Sequence, residues 1–266
     1  MTGRLRKVVP MRTRQAAAAL AAALLILSQA AVAGCGNNRA AISTPAPLRV
    51  GALLPLSGRS SPSGAAMADA ARLAVKEVND AGGVLGRQLE LVVEDDACDP
   101  GTAVNAANTL IGRGITVSVG GYCSSATVPT LRIFRAAGLP MIIPASNSTD
   151  LLTPGYDSIF LLSGTVNDEA TFALDQLRRL GRHSLAVVND GTSFSATLAT
   201  ASTARAAAAG LATVADLELS QGATDYARIA ATILASGADA VYYTGYYAEA
   251  HQLIIDLRGA GFDGAI

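Results

Sequence analysis

Aromatic side chains and histidine are scarce in this chain of 266 residues: Trp is absent, aromatic residues make up 5%, and there are two histidines. So few rings offer little for nucleic-acid bases to stack on. The formal net charge is −1, and no basic stripe lies beyond the first 14 residues. We therefore expect no nucleic-acid partner.

Signals for catalysis or metal binding are missing as well. His183 and His251 stand near no motif, and no Cys/His spacing predicts a metal site. The sequence contains neither a nucleophile elbow nor a Gly-Lys-Ser/Thr phosphate loop. Asp95 and Asp96 are adjacent in a predicted strand and point to opposite faces, which argues against shared acid–base chemistry. We expect a protein that is not an enzyme and that holds no metal or cofactor.

The N-terminus has the pattern of an export signal. Basic residues (Arg4, Arg6, Lys7, Arg12 and Arg14) precede the apolar run Ala16–Leu27, which is shorter than the ~20 residues that a spanning helix needs. Val32-Ala33-Gly34-Cys35 resembles a bacterial lipobox. This predicts a signal peptide over residues 1–34, a lipid on Cys35, a flexible tether over 35–47, and attachment to the extracytoplasmic face of the membrane. The alternative is an uncleaved N-terminal membrane anchor, which also places the rest of the chain outside the cytoplasm.

The cysteine count fits this interpretation. Three cysteines leave one thiol unexplained in an exported protein. If Cys35 carries lipid, Cys98 and Cys123 remain as a pair in an oxidising compartment. A disulfide between them would stabilise the fold by roughly 3–4 kcal/mol in the chain-entropy model. The alternative is a catalytic thiol, but neither histidine accompanies a cysteine in a motif.

Short apolar runs alternate with helical patterns through the rest of the chain. Leu48–Leu54 predicts a strand, and apolar residues at helical spacing between 67 and 78 predict a helix that Gly82-Gly83 ends. Repetition of this pattern predicts an α/β fold with parallel sheets that carry helices on both faces. We expect two Rossmann-like lobes, over residues 48–163 and 164–266.

Polar and small residues follow the predicted strands. Gly120–Ser125 comes after the third strand and opens a helix, where N–H groups and serine hydroxyls suit a carboxylate. Pro144–Thr149 follows the next strand, while Phe194 and Tyr246 follow strands of the second half. Because open parallel sheets bind ligands beyond the carboxyl ends of their strands, these residues predict a ligand site.

Several stretches resemble the type I periplasmic binding proteins and, within them, the leucine/isoleucine/valine-binding family. The matching stretches are Gly51–Gly58, Asp95-Asp96-Ala97-Cys98-Asp99-Pro100, Cys123-Ser124-Ser125-Ala126-Thr127, Pro144-Ala145 and Val241–Tyr246. The resemblance runs from about Leu48 to the end of the chain. It implies two hinged lobes that close on an amino acid, and a disulfide between Cys98 and Cys123.

The resemblance also assigns residues to the ligand site, namely Ser63, Ser124, Ala145, Ser146, Asn147, Phe194 and Tyr246. It implies that Ser124 holds the ligand carboxylate and that the Ala145 carbonyl helps hold the ammonium group. Phe194 and Tyr246 would close over the ligand from the second lobe. The simpler alternatives are that Ser124 only caps a helix and that Phe194 only packs in the core.

Three of these positions depart from the family pattern. Ser63 stands where an aromatic residue often packs on the ligand side chain, and Asn147 stands in place of a threonine that touches both backbone groups. Phe194 lacks a hydroxyl. A site loses affinity when a hydrogen-bonding partner is removed. The residues for the ligand's backbone groups match the family pattern better than the residues of the pocket for its side chain.

The resemblance implies the solute-binding component of an ABC importer. We expect a monomer that captures a branched-chain or related amino acid and delivers it to a membrane permease with its ATPase. The acidic residue with which the family binds the ammonium group would fall beyond Ile266, so we expect a second lobe truncated at its C-terminus. The alternatives are a ligand-binding sensory module, an amide or short-chain organic acid as ligand, and an extracytoplasmic enzyme of flavodoxin-like build.

Overall fold

A computed structural model describes residues 45–266, which contain two separate parallel β-sheets. The predicted signal peptide over residues 1–34, Cys35 and the tether as far as residue 44 lie outside the described residues. The first sheet has the strand order β2-β1-β3-β4-β5, and the second has the order β7-β6-β8.

Strands and helices alternate along the chain. The strands are β1 (Leu48–Leu54), β2 (Leu89–Asp95), β3 (Val117–Gly120), β4 (Met141–Ile143), β5 (Ile159–Leu161), β6 (Ser184–Asn189), β7 (Ala212–Glu218) and β8 (Ala240–Tyr243). The helices are α1 (Ser61–Asp80), α2 (Pro100–Gly112), α3 (Ser124–Ala136), a 3-10 helix (Thr149–Leu151), α4 (Val166–Arg179), α5 (Ser193–Ala206), α6 (Ala227–Ser236) and α7 (Tyr247–Gly259). The predicted α/β fold with parallel sheets flanked by helices is confirmed.

Polar capping groups set where several helices begin. Helix α2 begins at Pro100, since Asp99 is its N-cap and accepts a hydrogen bond from the Thr102 N–H at 2.7 Å. Helix α4 begins at Val166, where the Thr165 N–H donates to Asp168 Oδ2 at 2.8 Å. Apolar periodicity alone does not reveal these polar first turns.

The central strand of the first sheet is buried on both faces. Leu53 points into a cluster with α2 and α3 that includes Leu110 and Phe134, all fully buried. Its neighbour Ala52 points the other way, into a cluster with Ala68 of α1. Alternation of side chains along a strand therefore places α1 on one face of the sheet and α2 with α3 on the other.

The second sheet repeats this arrangement around β6. Val187 packs with the α4 and α5 side, including Leu174, while Val188 packs with the α6 and α7 side, including Ile233. After α7 the chain returns along β8, where Ala265 forms a parallel bridge with Ala240. Both sheets are parallel, so within each sheet all carboxyl ends lie at one edge.

Two glycines carry the chain out of the first sheet after β3. Gly120 has φ +133° and Gly121 has φ +101°, a region that L-residues rarely adopt. A Cβ on Gly120 would lie 2.8 Å from the backbone nitrogen of Leu53 on the neighbouring strand. This close approach of the two backbones directs the residues that open α3 toward the edge of the sheet.

We predict that Gly120→Ala lowers the free energy of unfolding by about 2–4 kcal/mol, because the added Cβ both meets the β1 backbone and disfavours the positive φ. Urea denaturation measures the loss. Gly112→Ala is the matched control: it lies in a helix with nothing within 4 Å of the added Cβ, and we expect no loss or a gain of up to ~1 kcal/mol. Equal stability of the two variants would contradict the prediction.

Candidate functional site

The carboxyl ends of the two sheets meet at Tyr246, which follows β8. Its ring centroid lies 5.9 Å from that of Tyr122, which follows β3, and 5.6 Å from that of Phe194 at the start of α5. Aromatic pairs at this spacing attract each other. Tyr246 therefore joins the exit loops of the first sheet to those of the second, and cavities lie on either side of it.

The first cavity has a volume of about 280 Å³, a size that suits a small ligand. It is lined by Tyr122, Ala145, Asn147, Glu169, Phe194, Gly245, Tyr246 and Tyr247. Four of the residues that the sequence assigned to a ligand site, Ala145, Asn147, Phe194 and Tyr246, thus come together around one space. They derive from three different strand ends, which only the sheet arrangement brings close.

The other three assigned residues do not line this cavity. Ser124 and Ser146 are fully buried, and Ser63 is half-buried on α1. Ser124 Oγ accepts a hydrogen bond from the Ser148 N–H at 3.3 Å, and Ser146 Oγ lies 2.9 Å from Thr127 Oγ1. In this structure the two serines hold the loop after β4 against α3, and their role as ligand contacts stays a prediction. The N-cap of α3 is Cys123, one residue before Ser124.

Sequence reasoning missed Glu169, which lines the first cavity from the first turn of α4. Asn147 Nδ2 donates a hydrogen bond to Glu169 Oε2 at 2.8 Å, so the two side chains form one polar wall. Its position in the chain could have predicted this role. Glu169 follows the last strand of the first sheet at its carboxyl end, which is where the other site residues were predicted.

A second cavity, of about 320 Å³, lies on the other side of Tyr246 and is more strongly charged. Its lining includes Arg59, Asp190, Glu249 and both cysteines of the Cys98–Cys123 disulfide. The Cα atoms of this disulfide are 5.4 Å apart. The bond ties the loop after β2 to the start of α3 beside β1, at the point where the strand order of the first sheet reverses.

One ion pair crosses the second cavity between the two sheets. Arg59, in the loop after β1, pairs with Glu249 on α7. Glu249 is 5% exposed, and its Oε1 also accepts the Gly222 N–H at 3.1 Å. Because the Arg59 side chain is half exposed, solvent screens the pair in part, but the glutamate has little other compensation for its burial.

We predict that Arg59→Ala lowers the free energy of unfolding by about 1–2 kcal/mol, because it leaves Glu249 buried with a single backbone donor. Chemical denaturation at low and high salt measures the effect. The control is Arg135→Ala, which breaks an ion pair with Asp157 that is exposed on both sides and is expected to cost less than ~1 kcal/mol. If the two variants lose the same stability, Glu249 does not depend on Arg59.

Asp96 is a fully buried carboxyl group beneath this cavity. Its Oδ1 accepts the Cys98 N–H at 2.9 Å, while its Oδ2 has no hydrogen-bond partner. Burial, with the neighbouring charge of Asp95 as a smaller cause, raises the pKa of Asp96 to about 6 against the opposing Cys98 hydrogen bond. Burial acts the same way on Asp95, but hydrogen bonds from Ser57 and from three backbone N–H groups outweigh it and lower the Asp95 pKa.

The Asp96 pKa sets a stability change with pH. Folded Asp96 binds its proton more tightly than the unfolded chain does, so the free energy of unfolding falls as pH rises from about 4 to above 6. We predict that Asp96→Asn removes this dependence. The difference in unfolding free energy, variant minus wild type, should rise by up to about 3 kcal/mol over that range. Urea titrations at several pH values measure it, and a difference that stays flat with pH would contradict the assignment.

Burial, followed by the charges of Asp190 and other neighbours, raises the pKa of Tyr246 above its ordinary value. Its phenol is therefore neutral across the physiological range and offers an O–H donor in the cleft. Within residues 45–266, no cluster of three or more His, Cys, Asp or Glu side chains is placed to hold a metal ion. No helix in this same range has the length and apolar character required to cross a bilayer.

The polar and aromatic cleft thus lies between the carboxyl ends of two parallel sheets, which is where open parallel sheets bind ligands. Residues 47–266 match the family described as periplasmic binding protein, so the chain belongs to that family. The resemblance to this family that its motifs carried is confirmed. Membership implies an extracytoplasmic location.

Individual binding proteins are similar to this chain in sequence. The chain is 30% identical over 234 residues to the leucine-, isoleucine-, valine-, threonine-, and alanine-binding protein of Pseudomonas aeruginosa, which covers 88% of this chain and 62% of that protein. It is 34% identical over 197 residues to the Leu/Ile/Val-binding protein of Escherichia coli K12, which covers 72% and 52%. The chain thus spans between half and two thirds of the length of these curated relatives.

A solved structure shows the same fold. The branched-chain amino acid transporter substrate-binding protein LivJ from Streptococcus pneumoniae, in complex with isoleucine, superimposes with a TM-score of 0.74 at 26% identity. The match covers 82% of this chain and 62% of LivJ.

Proposed function

We propose that this chain is the extracytoplasmic solute-binding component of an ABC importer and that it captures a branched-chain or related amino acid. The observation that carries the proposal is the first cavity, which aromatic rings from both sheets and polar groups enclose together. Relatives bind leucine, isoleucine and valine by name. At about 30% identity their ligand supports a class of compound rather than a single one.

The cavity divides into two chemical parts. The rings of Tyr122, Phe194 and Tyr246 offer apolar area for an aliphatic side chain. Asn147 and Glu169 offer polar groups for the backbone end of an amino acid. We propose that Ala145 contributes its carbonyl, and that Ser124 and Ser146 reach the ligand once the loop after β4 moves. Ser63 lies outside the cavity and would need a larger movement of α1.

We propose that residues 48–163 and 164–266 act as lobes that close on the ligand. The chain passes from the first sheet to the second between β5 and α4. Side-chain contacts across the cleft include the rings around Tyr246, the Arg59–Glu249 ion pair and hydrogen bonds of Asn147 with Glu169, Asp150 with Ser193 and Ser148 with Thr197. Polar and aromatic contacts of this kind can form and break as the lobes hinge. The closed form would then be recognised by a membrane permease and its ATPase, with a monomeric chain held at the membrane by a lipid on Cys35.

The test is isothermal titration of the chain against leucine, isoleucine, valine, threonine and alanine, with amides and short-chain organic acids alongside. We expect an aliphatic amino acid to bind, and Tyr246→Ala to weaken binding at least ~10-fold because it removes the ring shared by both sides of the cleft. Phe160→Ala, which truncates an exposed ring on β5 outside the cavity, is the control and should change affinity less than ~2-fold.

Failure of every amino acid to bind would refute the proposal, and selective binding of an amide or an organic acid would move the ligand to another class. Equal affinities of the Tyr246 and Phe160 variants would show that the ligand binds elsewhere.

A further inference from the structure

Glu169 places a negative charge in the first cavity without a matching positive one. It lies half-buried in the first turn of α4. None of the residues that line this cavity is Lys, Arg or His, and Glu169 takes part in none of the ion pairs among residues 45–266. The contrast is Glu249 in the neighbouring cavity, which pairs with Arg59. A carboxylate that faces a cavity without a cationic partner suits a cationic group of the ligand.

Asn147 fixes how this carboxylate is presented. Its Nδ2 donates to Glu169 Oε2 at 2.8 Å, so that the Asn147 amide nitrogen is turned toward the glutamate. Among residues 45–266, no group donates a hydrogen bond to Glu169 Oε1, so this oxygen can accept one from a ligand. Acceptor oxygens on one wall match a group that carries several N–H donors and no acceptor, which is the chemistry of a protonated amine.

The remaining walls favour the same kind of group. The ring centroids of Tyr122 and Phe194 each lie within 6 Å of that of Tyr246, and Tyr247 lines the cavity as well. Aromatic ring faces attract cations, most strongly where solvent is excluded. A carboxylate beside several rings therefore recognises a cation better than it recognises a neutral hydroxyl.

We propose that Glu169 binds a protonated amino group of the ligand and thereby selects amine-bearing ligands over their hydroxy-acid analogues. The proposal rests on the proposed function, because it concerns the same cavity. It gives this chain an acidic ligand-binding residue on α4, in addition to the position beyond Ile266 to which the family resemblance pointed. The amino group is either the α-amine of a neutral amino acid or the side-chain amine of a basic one.

The test compares wild type with Glu169→Gln by isothermal titration on two pairs of compounds. The first pair is L-leucine and L-2-hydroxyisocaproate, which differ in amine against hydroxyl. The second pair is L-lysine and L-norleucine, which differ in the side-chain amine. Gln keeps one acceptor oxygen for Asn147 Nδ2, removes the charge and replaces the other oxygen by an amide N–H donor. We therefore expect amine binding to weaken at least ~10-fold and hydroxy-acid binding to change less than ~2-fold.

Two further variants are controls for the effect of Glu169→Gln on binding. Asp175→Asn removes the same charge from the same helix outside the cavity and should leave every affinity within ~2-fold of wild type. Glu169→Asp keeps the charge and should retain the preference for amine over hydroxyl. A thermal melt detects whether Glu169→Gln folds. If it does not fold, Glu169→Asp provides the test in its place.

The outcomes test the role of Glu169 separately from the proposed function of the chain. Weaker binding of both leucine and lysine by Glu169→Gln supports the α-amine as the partner, and weaker binding of lysine alone supports the side-chain amine. Unchanged affinities in Glu169→Gln overturn the role of Glu169 while the proposed function stands. A wild type that binds no amine-bearing compound overturns both.

Discussion

Burial of one central strand on both faces is the constraint on which each sheet depends. In the first sheet, Leu53 and Ala52 of β1 point into different helix layers, and Val187 and Val188 of β6 do the same in the second. A strand covered twice requires helical crossovers, which make the neighbouring strands parallel. Parallel strands end at one edge, so the loops that carry polar residues collect there. The cleft is thus a consequence of how the cores are packed.

Three carboxyl groups in or near the cleft have different surroundings. Glu249 is buried and compensated by Arg59 from the other sheet. Asp96 is buried with one unpartnered oxygen, and its pKa rises to about 6. Glu169 faces the cavity with only an amide as partner. Glu249 joins the two halves of the chain. Asp96 lies beside the disulfide that braces the first sheet, and Glu169 is available to a ligand.

The order of strands and helices was predictable from residue patterns, because apolar runs and helical spacing are local signals. The boundaries were less so: Asp99 and Thr165 begin helices through side-chain hydrogen bonds that no apolar pattern contains. The site was predictable in part. Ala145, Asn147, Phe194 and Tyr246 follow strands, and the rule of carboxyl ends found them, whereas Ser124 and Ser146 follow strands too but turn their hydroxyls into the protein.

By itself the sequence determined the α/β alternation, the family through its short motifs, and which loops would lie at the sheet edges, since all three depend on neighbours along the chain. Only the tertiary structure decided which side chains share a space. Glu169 meets Asn147 across 22 positions and Arg59 meets Glu249 across 190. The physical reason is that such contacts depend on how loops and helices at the ends of the two sheets are placed in space, which no local pattern of residues encodes.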